Sequence, residues 1–210
     1  MTARLLYVMD PMCSWCWGFA PVLDALADQA AEQGVELHLV AGGLRREQVP
    51  VDEPSRQRYL SYWQQVHAAT GQAFDFERGL PTGMAYDTEP ACRALVTARE
   101  FGGRGAWPLV KRIQQAFYLE GQDVTRACVL VELAESCGLP RQRFADAFDS
   151  AAMREASAAD FAWVQDLGIA GFPTLLAQRD GQLALLTNGY QPLEPLQSLL
   201  ARWLEHGAHA

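Results

Sequence analysis

An α/β fold carrying a large all-helical insertion is predicted by three observations. Residues 1–43 alternate apolar strand, amphipathic helix and strand. Residues 153–210 end in two short apolar runs joined by Asp180-Gly181, then a final helix. Between them, residues 44–152 carry helical periodicity and no strand pattern, and a stretch that long is not a loop in a compact chain.

The first strand is expected at residues 4–9, RLLYVM, a short apolar run closed by Asp10-Pro11. A helix follows over 13–33, with Phe19, Val22, Leu23 and Leu26 at helical spacing and Gly34 as its stop. Residues 35–41, VELHLVA, alternate as a second strand ended by Gly42-Gly43. Strand, helix and strand in this order predict a right-handed crossover and a parallel pair.

Helices are then expected near 54–70, 88–101, 107–120, 125–137 and 141–149. The second of these is capped by Asp87 or Thr88, with Pro90 in its first turn. A further helix at 153–167 carries Phe161, Val164 and Leu167 and stops at Gly168. Strands at 174–179 and 182–187 flank Asp180-Gly181, whose residue types suit a two-residue hairpin with positive φ at both turn positions. The last helix, 192–205, presents Leu193, Leu196, Leu200, Trp203 and Leu204 on one stripe. The domain reading is one α/β unit built from 1–43 and 153–210, interrupted by a helical unit at 44–152.

Composition narrows the function classes. The 210 residues are 50% hydrophobic, enough for a sizeable core. The net charge is −8, from 17 basic and 25 acidic residues, and no basic cluster stands out. Nucleic acid and anionic membrane both need a positive footprint, so neither is expected as a partner. No apolar run approaches the roughly 20 residues of a membrane span. The opening MTARLLYVMD lacks the apolar core and cleavage site of a secretory signal, so the expected location is cytoplasmic.

Chemistry concentrates in DPMCSWCWGF at residues 10–19. Cys13 falls at the junction of the first strand and first helix, and Cys16 lies one turn further in. A helix start offers unpaired N–H groups and a partial positive charge, both of which favour a thiolate. In such places a thiol pKa near 8.5 can fall to roughly 3.5–7.5. Cys13 is therefore the expected nucleophile. Cys16 is the more buried thiol, able to resolve a mixed disulfide and to form a redox-active Cys13-Cys16 disulfide. A CxxC in a βαβ setting is a specific signal for thiol–disulfide exchange.

Zinc would need further ligands at short spacing. The chain offers Cys92, Cys128, Cys137, His38, His67, His206 and His209, none paired in a turn. No metal is expected, and His206 and His209 read as a frayed tail. Cys128 and Cys137 are nine residues apart on one expected helix, about 13 Å, beyond the roughly 7 Å a disulfide allows. No chemistry is expected of Cys92, Cys128 or Cys137. Asp87, Glu89 and Arg93 read as capping and surface groups.

A second segment, GIAGFPTLL at 168–176, places Phe172-Pro173-Thr174 at a strand start, where a proline loses no ladder hydrogen bond. Nothing in these residues alone singles out a cis bond, a minority state of X–Pro peptides.

CSWC after a first strand, a helical insert, and GFPT before a closing hairpin together resemble the DsbA-like branch of the thioredoxin superfamily over nearly the whole chain. YDTEPACRA at 86–94 and FYLEGQDVT at 117–125 look like its bacterial predicted disulfide-isomerase members. The resemblance implies a thioredoxin fold with a helical insertion. It implies a cis Pro173 facing Cys13 and Cys16, with the Phe172 main chain free to pair with an extended peptide, a mode that gives affinity with little sequence preference. DsbA has proline and histidine between its cysteines, where this chain has Ser14 and Trp15. With no cation in that spacer, the pair is expected to be less oxidising, nearer the thioredoxin end of a range of roughly −270 to −120 mV.

The implied activity is thiol–disulfide oxidoreductase or isomerase on protein or peptide thiols and disulfides. No cofactor is bound, and glutathione or a thioredoxin-like protein is the expected reductant. Trp15, Phe172 and Thr174 are the candidate substrate-binding residues, with Trp15 expected at the surface and Trp17 packed under the motif. Ser14 and Asp10 are candidate activating residues. Asp10 reads first as a turn or cap aspartate before Pro11 and second as a carboxylate that exchanges a proton with Cys16. Two rivals stand beside this reading. Kappa-type glutathione transferases and chromene-carboxylate isomerases share the architecture, but usually carry serine where Cys13 stands. Some cytoplasmic DsbA-like proteins act as adaptors, with a redox-sensing CxxC.

Overall fold

The structure is a computed structural model that describes residues 3–102 and 105–206. His209, and the side chain of His206, lie outside what is described. A four-stranded sheet runs in the order β2-β1-β5-β6, from β1 (Ala3–Met9), β2 (Glu36–Ala41), β5 (Thr174–Arg179) and β6 (Gln182–Asn188). β1 pairs parallel with β2 and antiparallel with β5, and β5 pairs antiparallel with β6.

β1 is central, which explains its unbroken apolar run: both faces are covered. Leu5, Tyr7 and Met9 point into one core, while Leu6 and Val8 point into the other. The first face receives α1 (Ser14–Ala31), through Phe19, Leu23 and Leu26, and α8 (Leu193–His206), through Leu196, Leu200 and Trp203. The second face receives α7 (Ala151–Asp166), whose Val164 packs with Leu6, Val8, Val40 and Leu176. Fully burying each such side chain contributes roughly 1.5–3 kcal/mol.

The local stops and turns follow residue chemistry. Gly34 ends the first βα unit at φ +72. Asp180 and Gly181 both take positive φ, 51 and 83, as the two-residue hairpin requires. The helical region comprises α2 (Glu53–Thr70), α3 (Glu89–Arg99), α4 (Ala106–Tyr118), α5 (Ala127–Ser136) and α6 (Arg141–Phe148). Its apolar faces join the same core cluster as β1 and α1, with no break at residue 43.

The expectation of a region without strands is corrected. β3 (Arg46–Pro50) and β4 (Ala85–Asp87) pair antiparallel as a separate two-stranded sheet. REQVP and AYD are short and lack alternating hydrophobicity, and β3 is largely exposed, so periodicity could not reveal them. Arg93 is also corrected. It is buried at 6% exposure, bonded to Glu89 at 2.9 Å and to the Phe148 carbonyl at 2.8 Å, and stacked on the Phe148 ring.

The β2 edge is closed by side chains instead of a neighbouring strand. Arg99 donates to the Leu39 carbonyl, Asp160 accepts the Ala41 N–H, and the two side chains pair with each other at 2.8 Å. This pins the end of β2, from which residues 42–45 lead across the site.

Candidate active site

Cys13 is the N-cap of α1, with extended backbone and no side-chain cap bond. Its N–H closes a turn onto the Asp10 carbonyl, and its carbonyl takes the Trp17 N–H. The N–H groups of Ser14, Trp15 and Cys16 therefore open the helix at the thiol, as such a terminus requires. Cys13 is 6% exposed and Cys16 is 0% exposed, and both are free thiols. The Cys13 sulfur lies 3.6 Å from the Phe172 carbonyl, and the Phe172-Pro173 peptide is cis. The order expected along the chain, an outer Cys13 and an inner Cys16, is the order found.

Burial pushes the Cys16 thiol well above its ordinary pKa, and its contact with the Cys13 thiol adds to the effect. The Asp10 main chain and the Tyr7 hydroxyl act in the opposite sense on Cys16, though not enough to reverse it.

Behind the pair lies a polar knot that sequence reading missed. Asp10 is fully buried. One carboxylate oxygen accepts the Met12 N–H at 2.8 Å, making the turn expected of this residue. The other accepts the Leu44 N–H at 2.7 Å, the Thr88 hydroxyl at 2.6 Å and the Cys92 thiol at 3.3 Å. These bonds favour the carboxylate, yet burial outweighs them and leaves its pKa raised. These partners occupy the carboxylate, and neither Cys13 nor Cys16 is among them. Tyr86 completes the knot by donating to the Met12 carbonyl at 2.7 Å. Tyr86, Thr88 and Cys92 all belong to YDTEPAC, so that segment is the rear wall of the thiol turn. Cys92 itself, assigned no chemistry from sequence, is an anchor for Asp10. Thr88 caps α3 in position but gives its hydroxyl to Asp10, while Asp87 accepts the Glu89 N–H.

The front wall is the 171–174 loop. The Phe172 ring covers Gly42 so closely that a Cβ there would lie 2.2 Å from the ring Cζ. Its side chain is thus packing, and its carbonyl is what faces Cys13. Thr174 corrects an expectation: it is 1% exposed, and its hydroxyl bonds the Gly171 carbonyl at 2.8 Å and Asn188 at 3.1 Å. It fastens the loop and offers no side chain to a substrate. Trp15 is half-buried against Tyr190, with ring centroids 5.9 Å apart, instead of standing free. Trp17 stacks on Tyr118 and donates to the Ala73 carbonyl, consistent with its packing under the motif. Ser14 is the first helical residue and half-buried.

Among the described residues no three His, Cys, Asp or Glu side chains are grouped as metal ligands. Among the same residues no helix is long and apolar enough to cross a membrane.

Comparison with known proteins agrees with this geometry. A candidate protein disulfide isomerase from Nitrosomonas europaea is 38% identical, with TM-score 0.91, covering 99% of this chain and all of that one. The cytosolic disulfide reductase DsbM from Pseudomonas aeruginosa is 31% identical, with TM-score 0.81, covering 96% of this chain and 98% of its own. A structure of DsbM with GSH is similarly close, at TM-score 0.79. A curated relative, the ClpXP adapter protein SpxH from Halalkalibacterium halodurans, is 22% identical over 82% of this chain. The chain spans 57% of the length of that relative and 55% of its Bacillus subtilis counterpart. The model of the DSBA-like thioredoxin domain matches residues 4–201, and the chain belongs to that family.

Proposed function

We propose that the protein is a thiol–disulfide oxidoreductase that exchanges disulfides with protein or peptide substrates through Cys13 and Cys16. The observation that carries this reading is the Cys13 thiol at the start of α1, set against the Phe172 carbonyl with Cys16 buried behind it. The Cys13 thiolate attacks one sulfur of a substrate disulfide and forms a mixed disulfide, releasing the other substrate sulfur as a thiolate. Cys16 then attacks the Cys13 sulfur, forming the intramolecular disulfide and releasing the second substrate thiolate. Two electrons pass from the dithiol to the substrate, and the reverse sequence oxidises. The exchange needs no bound metal or nucleotide.

Reduction in the cytoplasm, with glutathione returning the electrons, is the direction we favour. Its support is the likeness to a protein named as a cytosolic disulfide reductase and solved with GSH. The test is reduction of insulin by the protein with glutathione and glutathione reductase. Turnover that vanishes in Cys13→Ser supports the reading, and turnover that survives contradicts it. Reactivation of a protein with scrambled disulfides separates isomerase from reductase. An adaptor function is the second reading, favoured by the SpxH relatives. A protein without insulin turnover, whose partner binding withstands Cys13→Ser, would favour it.

A further inference from the structure

The turn that leaves β6 reaches back across the site. The Thr187 hydroxyl donates to the Gly189 carbonyl at 2.8 Å, and Gly189 takes φ +98, a conformation that favours glycine. Two bonds fasten this turn to the cis-proline loop. The Gly189 N–H donates to the Pro173 carbonyl at 2.7 Å, and the Thr174 hydroxyl bonds the Asn188 side chain at 3.1 Å. Tyr190 comes next in the chain and is half-buried. Its ring lies tilted on Trp15, with centroids 5.9 Å apart, and meets Phe19 edge-on at 6.4 Å. Trp15 and Phe19 are four residues apart on α1 and so share one face of its opening turns.

The 187–190 turn therefore joins two parts of the site that are far apart in sequence. One is the 171–174 loop, whose Phe172 carbonyl faces the Cys13 sulfur at 3.6 Å. The other is the spacer between Cys13 and Cys16, which carries Trp15. An indole left free would lose rotamer freedom on meeting a substrate, and that loss weakens binding. Packing on Tyr190 removes the freedom beforehand.

We infer that Tyr190 is a positioning residue: acting through Trp15, it holds the spacer indole in place beside the cis-proline loop, ready for a peptide substrate. The inference rests on the reading of Trp15 as a substrate-binding residue of an exchanging Cys13 and Cys16 pair. Trp15 stands two residues from Cys13, so a peptide whose disulfide reaches Cys13 brings its flanking residues to the indole. Apolar flanking side chains gain most from an aromatic surface. The contribution of Tyr190 falls on substrate affinity, while the exchange at Cys13 keeps its own groups. Both contacts are made by the ring, so the hydroxyl is dispensable to this role.

The test is the insulin assay with glutathione and glutathione reductase. In Tyr190→Ala, KM for insulin should rise about three- to tenfold, the worth of one aromatic contact, and kcat should hold. Tyr190→Phe should restore the wild-type KM. Added to Trp15→Ala, Tyr190→Ala should raise KM by no more than about twofold further, because the residue it acts through is already gone. A purely structural role predicts a different pattern: weaker resistance to denaturant with KM unmoved. That pattern overturns the inference. So does a fall in kcat at constant KM, a full further rise in the double variant, or a Tyr190→Phe as poor as Tyr190→Ala. Should Tyr190→Ala not fold, Tyr190→Leu takes its place with the same pattern expected, since a branched aliphatic chain cannot lie flat on the indole. A wild type without insulin turnover contradicts the exchange reading itself, and the role of Tyr190 falls with it.

Discussion

Cys13 and Cys16 sit one helical turn apart and occupy opposite surroundings. Cys13 caps the helix and faces the Phe172 carbonyl across the front of the site. Cys16 is sealed behind it, against β1, with its thiol pushed well above the ordinary pKa by burial. In the exchange we propose, these chemically identical side chains take different steps. One can meet a substrate, and the other can meet Cys13. The division is made by what surrounds each thiol: a loop in front, and a knot of buried polar groups behind.

The largest expected effect comes from cutting that knot. Asp10→Ala removes the acceptor of the Met12 and Leu44 N–H groups and of the Thr88 hydroxyl. Buried donors left unpaired cost about 1–3 kcal/mol each and do not simply add. The expected loss is roughly 2–5 kcal/mol, read by denaturant unfolding of the reduced protein. A loss below about 1 kcal/mol would mean that Asp10 does not fasten the rear wall.

Gly42→Ala attacks the front wall instead. Its new Cβ would meet the Phe172 ring at 2.2 Å and force the loop to move. Overpacking of this kind costs about 1–3 kcal/mol. Because the displaced loop carries the Phe172 carbonyl, single-turnover attack by Cys13 should slow as well. An alanine that destabilises the protein but leaves that attack unchanged would separate the loop from the reaction.

The contrast between the thiols also has a pH signature. Cys16 has a raised pKa in the folded protein, so the folded state resists its ionisation. The stability this thiol contributes is full below the ordinary thiol value of about 8.5 and is lost as pH climbs toward its own higher value. Across that alkaline range, reduced wild type should lose about 1 kcal/mol per pH unit more than Cys16→Ala. Parallel pH profiles would show that Cys16 ionises freely in place.

The smallest expected effect is at the rim. Trp15, between the two cysteines, is half-buried on Tyr190. Trp15→Ala should raise KM for insulin several-fold, about 1 kcal/mol, and leave kcat unchanged. A fall in kcat with constant KM would assign Trp15 to shaping the thiol turn.

Much of the front of the molecule was legible in the residues. Helical spacing after CSWC, the glycine stops and Asp180-Gly181 are local signals, and each appears where local chemistry places it. The family resemblance supplied the cis Phe172-Pro173 peptide, which the residues by themselves did not. The rear of the site was not legible. Tyr7 reads as one apolar residue in a buried strand, and its packing against Phe19 exists only once α1 folds back over β1. Tyr86, Thr88 and Cys92 lie more than 70 positions from Asp10, as the separations of 74, 78 and 82 in their hydrogen bonds to Met12 and Asp10 show. No periodicity connects residues so far apart. Arg93 was misread for a related reason: its i,i+4 partner Glu89 suggests a solvated pair, and the covering Phe148 arrives from a different helix.

The division of labour between the two thiols is tested most directly by trapping. Reduced Cys16→Ser is mixed with glutathione disulfide, and the product is digested and mapped by mass spectrometry. A stable glutathione adduct on Cys13, absent from wild type because Cys16 resolves it, is the predicted result. An adduct on Cys92, Cys128 or Cys137 with Cys13 unmodified, or an equally persistent adduct in wild type, would contradict the account.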